Sequence, residues 1–141
     1  MKEFFDTSVL VAAFWGGHTN HSASIKLLAA ARKKQSACSM HTLAEVYATM
    51  TALPVKPVLP PEQVMLFVQE VRDRLTIVSL DEGEYFETIQ YAADAGFTSG
   101  RVYDALILRC AAKVKAHSIY TWNLKHFQTI APERAGQMRT P

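Results

Sequence analysis

Short apolar runs alternate along this chain with longer stretches whose apolar residues recur at helical spacing. Phe4-Phe5 is a strand-sized pair that stops at Asp6, and Val9, Leu10, Ala12 and Ala13 then predict a short helix from Thr7 to about Trp15, ended by Gly16-Gly17. A polar connector, His18-Thr19-Asn20-His21-Ser22, leads to a helix expected to start at a Ser22 or Ser24 cap and run through Lys34. Ile25, Leu28 and Ala29 make its expected buried stripe, with Arg32-Lys33-Lys34 at the C-terminal end, where cations suit the dipole. Ser36–Ser39 reads as a small-residue second strand, and Thr42–Met50 as a helix that ends before Pro54. Pro54, Pro57, Pro60 and Pro61 punctuate a connector, and Pro61 suits the first turn of a helix over 61–73 that buries Val64, Phe67, Val68 and Val71. Leu75–Leu80 is a β-branched third strand. Asp81 with Glu84 then caps a helix that carries Tyr85, Ile89, Ala92 and Ala93 to Gly96. A further helix, about 101–116, has Leu106, Ile107, Leu108, Ala111 and Ala112 apolar. Ser118–Thr121 forms a fourth strand, Trp122–Phe127 a loop or single turn, and Met138-Arg139 a last edge strand.

Strands alternating with helices predict an α/β fold: a parallel sheet of four to five strands with helices on both faces, a three-layer α/β/α sandwich. The 141 residues read as one domain, 1–141, with no repeat or low-complexity tract. With 49% hydrophobic and 20% charged residues, the composition excludes a disordered chain. No apolar run reaches the roughly 18–20 residues of a membrane helix, and Met1-Lys2-Glu3 leads straight into a strand, so neither a membrane span nor a signal peptide is expected. Cys38 and Cys110 stand far apart among small or apolar residues, as buried free thiols of a cytoplasmic protein would. Net charge is only +2, but residues 101–141 carry seven Lys/Arg against two Asp/Glu, a balance suited to a polyanion.

The candidate chemistry lies at the ends of the strands, where parallel sheets place their ligand sites. Asp6 ends the first strand and Asn123 follows the fourth. Asp6, Thr7 or Ser8 also fits a helix N-cap, so a carboxylate there has a purely structural reading as well. Glu45 lies early in the helix after the second strand, although Thr42-x-x-Glu45 equally fits a capping box. Asp104 sits in a first helical turn, where the dipole favours an acid, yet it tops an apolar stripe of Leu108, Ala111 and Ala112 and so faces inward. Three converging carboxylates repel unless protons, basic partners or divalent cations cancel their charge. Oxygen-only ligands suit Mg²⁺ or Mn²⁺, which lower the pKa of water and stabilise an in-line displacement at phosphorus. Thr7, Ser8, Thr121 and Asn123 are placed to orient these acids or their waters, and Arg101, one turn before Asp104, to meet a phosphate. His18 and His21 lack the spacing of a metal site and read as loop histidines.

Phe5–Leu10, the Ala44-Glu45-Val46 helix, Tyr103–Ile107 and Thr121–Phe127, in that order and spacing, resemble a PIN domain, and the domain size is similar to the VapC toxins of prokaryotic toxin–antitoxin pairs. The resemblance implies a Mg²⁺- or Mn²⁺-dependent ribonuclease that forms homodimers and is inhibited by a cognate antitoxin whose tail enters the active-site groove. It assigns Asp6, Glu45 and Asp104 to metal binding, and Ser8 or Thr7 to the hydroxyl position after the first acid. Asn123 falls where the family often has Asp, which leaves three carboxylates and favours one tightly held cation. The competing expectation is a non-catalytic RNA-binding or interaction domain with the same fold. Clustered acids that repel phosphate count against it. An aspartyl-nucleophile phosphohydrolase is disfavoured, because Asp6-Thr7-Ser8 is not the Asp-x-Asp such enzymes carry at this turn.

Overall fold

The computed structural model describes residues 1–141. Its centre is a five-stranded sheet built from β1 (Glu3–Phe5), β2 (Ser36–Ser39), β3 (Thr76–Val78), β4 (Ser118–Tyr120) and β5 (Met138–Arg139). The strands run in the order β3-β2-β1-β4-β5, and every neighbouring pair is parallel. Seven α-helices cover it: α1 (Thr7–Phe14), α2 (His21–Ala30), α3 (Met40–Thr51), α4 (Pro61–Arg74), α5 (Glu82–Asp94), α6 (Arg101–Lys113) and α7 (Leu124–Ile130). A 3-10 segment, Pro132–Gln137, joins α7 to β5.

Side chains alternate across a strand, so consecutive aromatics feed opposite layers. Phe4 joins Ile119, Ile107, Ala111, Phe127 and Ile130 on the side covered by α6 and α7. Phe5 joins Leu10, Leu28, Val46, Met50 and Val68 on the side of α1 to α4. Both rings are fully buried, and each burial stabilises the fold by about 1.5–3 kcal/mol. The strand order reverses at β1: β2 and β3 lie to one side, β4 and β5 to the other. Such a switch point opens a crevice beyond the carboxyl ends of the two strands that flank it, here β1 and β4.

Several boundaries differ from expectation. Helix α2 starts at His21 with Asn20 as its cap residue and stops at Ala30, not Lys34. Ala31 turns extended and buried, and Arg32–Gln35 make the turn that brings β2 beside β1. The cation still serves the helix end, since Arg32 donates to the carbonyls of Ala29 and Ala31 at 3.4 and 2.9 Å. Its buried face is Ser24 and Leu28, while Ile25 and Ala29 are exposed. In α5 the buried residues are Thr88 and Ala92; Tyr85, Ile89 and Ala93 face outward. Strand β3 is shorter than Leu75–Leu80, and α6 ends at Lys113 instead of 116. Beyond Asn123 the chain forms the two-turn helix α7, where a loop or single turn was expected, because Phe127 and Ile130 bury themselves in the α6 layer.

Candidate active site

Asp6 leaves β1 at the switch point and caps α1, as its structural reading expects. It is only 3% exposed. Its backbone N–H is held by the carbonyl of Tyr120 at 2.9 Å, which ties the end of β1 to β4. Oδ2 accepts from Ser8 Oγ at 2.7 Å, from Thr121 Oγ1 at 2.8 Å, and from the Ser8 N–H at 3.4 Å. Oδ1 takes no proton from the protein and is left to the crevice. The two hydroxyls are themselves fixed: Ser8 Oγ accepts from the Trp122 N–H at 3.0 Å, and Thr121 Oγ1 from the Asn123 N–H at 2.9 Å.

Glu45 is positioned from the neighbouring strand. The capping-box reading of Thr42 and Glu45 does not hold, because the helix begins earlier: Ser39, at the end of β2, is the cap and accepts from the Thr42 N–H at 3.0 Å. Glu45 therefore lies in the second turn, free of backbone duty, and its Oε1 accepts from Thr7 Oγ1 at 2.7 Å. Its Oε2 lies 3.8 Å from Nε2 of His41, whose ring stacks on Tyr103 at 4.9 Å. Asp104 comes from the first turn of α6, above buried Leu108 and Ala111.

Asp6, Thr7, Ser8, Glu45, Asp104 and Asn123 line one open cleft of about 330 Å³, with Val11, His18, Thr49 and Trp122 completing it. A slightly larger hollow of about 370 Å³ between α5, α6 and α7 is mostly apolar and is lined by a single acid, Glu133. Electrostatics mark the cleft: burial, then the charges of Asp6 and Glu45, push the Asp104 carboxyl up to about 7, with Arg101 opposing. Burial also raises Asp6, against the hydrogen bonds from Ser8 and Thr121. Arg101 is outside the lining, with its guanidinium over the Phe97 ring at 4.4 Å. Thr121 sits fully buried behind Asp6.

The donor set is all oxygen and excessively negative, which fits a hard divalent cation. No three acid, His or Cys side chains close around a common point in the cleft. His18 and Trp122 were not expected in the cleft. Only the folding of the connector after Gly16-Gly17 and of the turn before α7 brings them there, and no local spacing signals it.

The PIN domain family profile matches residues 4–130. The chain belongs to the PIN domain family. This PIN chain is 28% identical over 124 residues to ribonuclease VapC40 of Mycobacterium tuberculosis, a match spanning 88% of each. Its fold is similar to that of Mycobacterium tuberculosis VapC20, described as a sarcin-ricin loop cleaving toxin, with TM-score 0.71 at 14% identity over 86% of this chain and 90% of that one. It is also similar to VapBC-1 from nontypeable Haemophilus influenzae, with TM-score 0.64 at 19% identity over 99% and 98% of the two chains. VapBC2 from Rickettsia felis, solved with a DNA fragment from its promoter, aligns with TM-score 0.61 at 21% identity over 100% and 98%. The PIN fold thus accounts for the parallel sheet with helices on both faces. No helix is long and apolar enough to cross a membrane.

Proposed function

We propose that this PIN protein is a metal-dependent endoribonuclease, the toxin of a type II toxin–antitoxin pair, acting in the cytoplasm. The observation that carries the reading is the convergence of Asp6, Glu45 and Asp104 on one cleft at the switch point, each brought by a different βα unit. The likeness to ribonuclease VapC40 supports RNA as the substrate. Asp6 Oδ1, Glu45 and Asp104 would hold Mg²⁺ or Mn²⁺. When bound, such an ion cancels charge among the acids and lowers the pKa of water for attack at phosphorus.

The chain's own residues do the rest. Ser8 and Thr121 aim Asp6 by occupying Oδ2, and Thr7 aims Glu45. Asn123 lends the cleft a neutral amide in place of a fourth carboxylate, which lessens repulsion of the phosphate. Arg101, at the start of α6, meets the incoming RNA backbone. A cognate antitoxin and a second copy of the chain are its expected partners. Exposed Met40, Tyr47, Met65 and Leu66 on α3 and α4 offer the apolar surface for the homodimer.

Incubating total RNA with the purified protein in Mg²⁺, Mn²⁺ or EDTA, beside Asp6→Asn, tests the reading. Discrete fragments that need both the metal and Asp6 are expected, and sequencing their ends names the target. RNA binding without metal and without cleavage would leave a non-catalytic interaction domain instead.

A further inference from the structure

The hydroxyl donors nearest the acids are already committed. Thr7 donates to Glu45, Ser8 and Thr121 donate to Asp6, and the Trp122 indole N–H donates to Ser24 at 2.8 Å. Beside the Asn123 amide, a phosphodiester entering this cleft needs further donors that the carboxylates have not taken. His18 supplies one. Its Nδ1 accepts the backbone N–H of Asn20 at 2.9 Å, so the neutral ring carries its proton on Nε2. No protein acceptor takes that proton, and the ring lines the cleft that holds Asp6, Glu45 and Asp104.

The ring is held in place on several sides. Trp15 packs edge-on against it at 5.7 Å, and the indole in turn covers Gly17, where a Cβ would come within 3.0 Å of the indole nitrogen. The His18 N–H bonds the Trp15 carbonyl at 3.0 Å, the His18 carbonyl accepts from His21 at 3.0 Å, and the His21 ring bonds the carbonyl of Ala12 at 2.9 Å. The loop is thus tied back to α1 at both ends.

We propose that His18 is a substrate-binding catalytic residue, whose neutral Nε2–H donates to a non-bridging oxygen of the scissile phosphate. Charge on those oxygens grows toward the transition state, and a prepositioned donor acts more strongly there than in the ground state. The residue moves no proton; it donates a hydrogen bond in both states. The inference rests on the phosphodiester reading of the cleft and adds a residue to it.

Two substitutions separate this role from a purely structural one. In His18→Asn the amide oxygen still accepts the Asn20 N–H, as an Asx turn does, but nothing reaches the Nε2 position. In His18→Gln the longer side chain restores a donor near that position. The expected result is that His18→Asn keeps the wild-type melting temperature and Mn²⁺ affinity but loses about a hundredfold in kcat. His18→Gln should recover at least about a tenth of the wild-type rate, a range set by the worth of one such donor. Equal cleavage by His18→Asn and the wild type, or loss confined to stability, overturns the proposal.

A second measurement stands apart from cleavage. In ¹⁵N-histidine spectra of the intact protein with Mg²⁺, His18 should be the Nε2–H tautomer, and inorganic phosphate should shift that proton. An Nδ1–H tautomer, or no response to phosphate, overturns the assignment. Failure of the wild type to cleave any RNA would overturn the ribonuclease reading, while these spectra would still decide the donor.

Discussion

Two hydroxyls and a backbone N–H crowd one oxygen of Asp6, and that arrangement governs what a substitution there does. Asparagine keeps an acceptor for Ser8 and Thr121 while removing a charge that burial disfavours. Asp6→Asn is therefore expected to abolish cleavage yet leave the metal-free melting temperature equal or higher; a lower one in EDTA would mean that the carboxylate stabilises the fold. Asp104 makes the pH dependence explicit. Its carboxyl is raised from 3.8 to about 7, so between those values the folded protein holds a proton that the unfolded chain has released. Its contribution to metal-free stability is full below 3.8 and disappears as pH rises through about 7. Chemical denaturation in EDTA at pH 5 and pH 8, compared between wild type and Asp104→Asn, should show a larger loss in the wild type than in the variant, where Asp6 is the raised acid left in the cleft. Metal affinity should run the other way and strengthen as pH rises through about 7, because protons compete with the cation for the same oxygens. A wild-type affinity that is flat across that range would remove Asp104 from the ligand set.

At the scale of elements, Ser39 joins fold and site. It ends β2, caps α3 and shares a 2.8 Å hydrogen bond with the buried Thr42 hydroxyl, which in turn lies 3.1 Å from Thr7, the residue that aims Glu45. Ser39→Ala should cost about 1–2 kcal/mol by denaturant titration, within the range for a lost cap, and weaken cleavage as well. Unchanged stability would mean that another group takes over the cap. The same element shows what was legible in advance. Apolar runs such as Phe4-Phe5 and the stripe of α6 report local burial, and they located the strands, most helices and the three acids at their ends. Thr42-x-x-Glu45 satisfies a capping pattern that Ser39 pre-empts, and which hydroxyl wins depends on where β2 ends against β1. Helix α7 was illegible for a similar reason: Phe127 and Ile130 gain their burial from α6 and β4, far away in sequence. His18 was read as a loop residue because its cleft-facing position comes from bonds to Trp15 and Asn20, not from any spacing relative to the acids.

For the whole molecule, two helical layers sandwich the sheet and leave large apolar side chains exposed on α3 and α4, as well as on α5. Leu66 is 69% exposed, Met40 54% and Met65 50%, all on α3 or α4. Under the homodimer reading, Leu66→Glu should yield a monomer by analytical ultracentrifugation with unchanged circular dichroism; a wild type that is already monomeric would sink that reading. The sheet's other margin has a consequence in time. The Thr121 N–H is held at 3.1 Å by the carbonyl of Arg139, in the two-residue strand β5, and Thr121 in turn holds Asp6. During synthesis, the strand that braces Asp6 from behind emerges more than a hundred residues after Asp6 itself. The growing polypeptide thus carries its acids without their final brace until β5 has been translated.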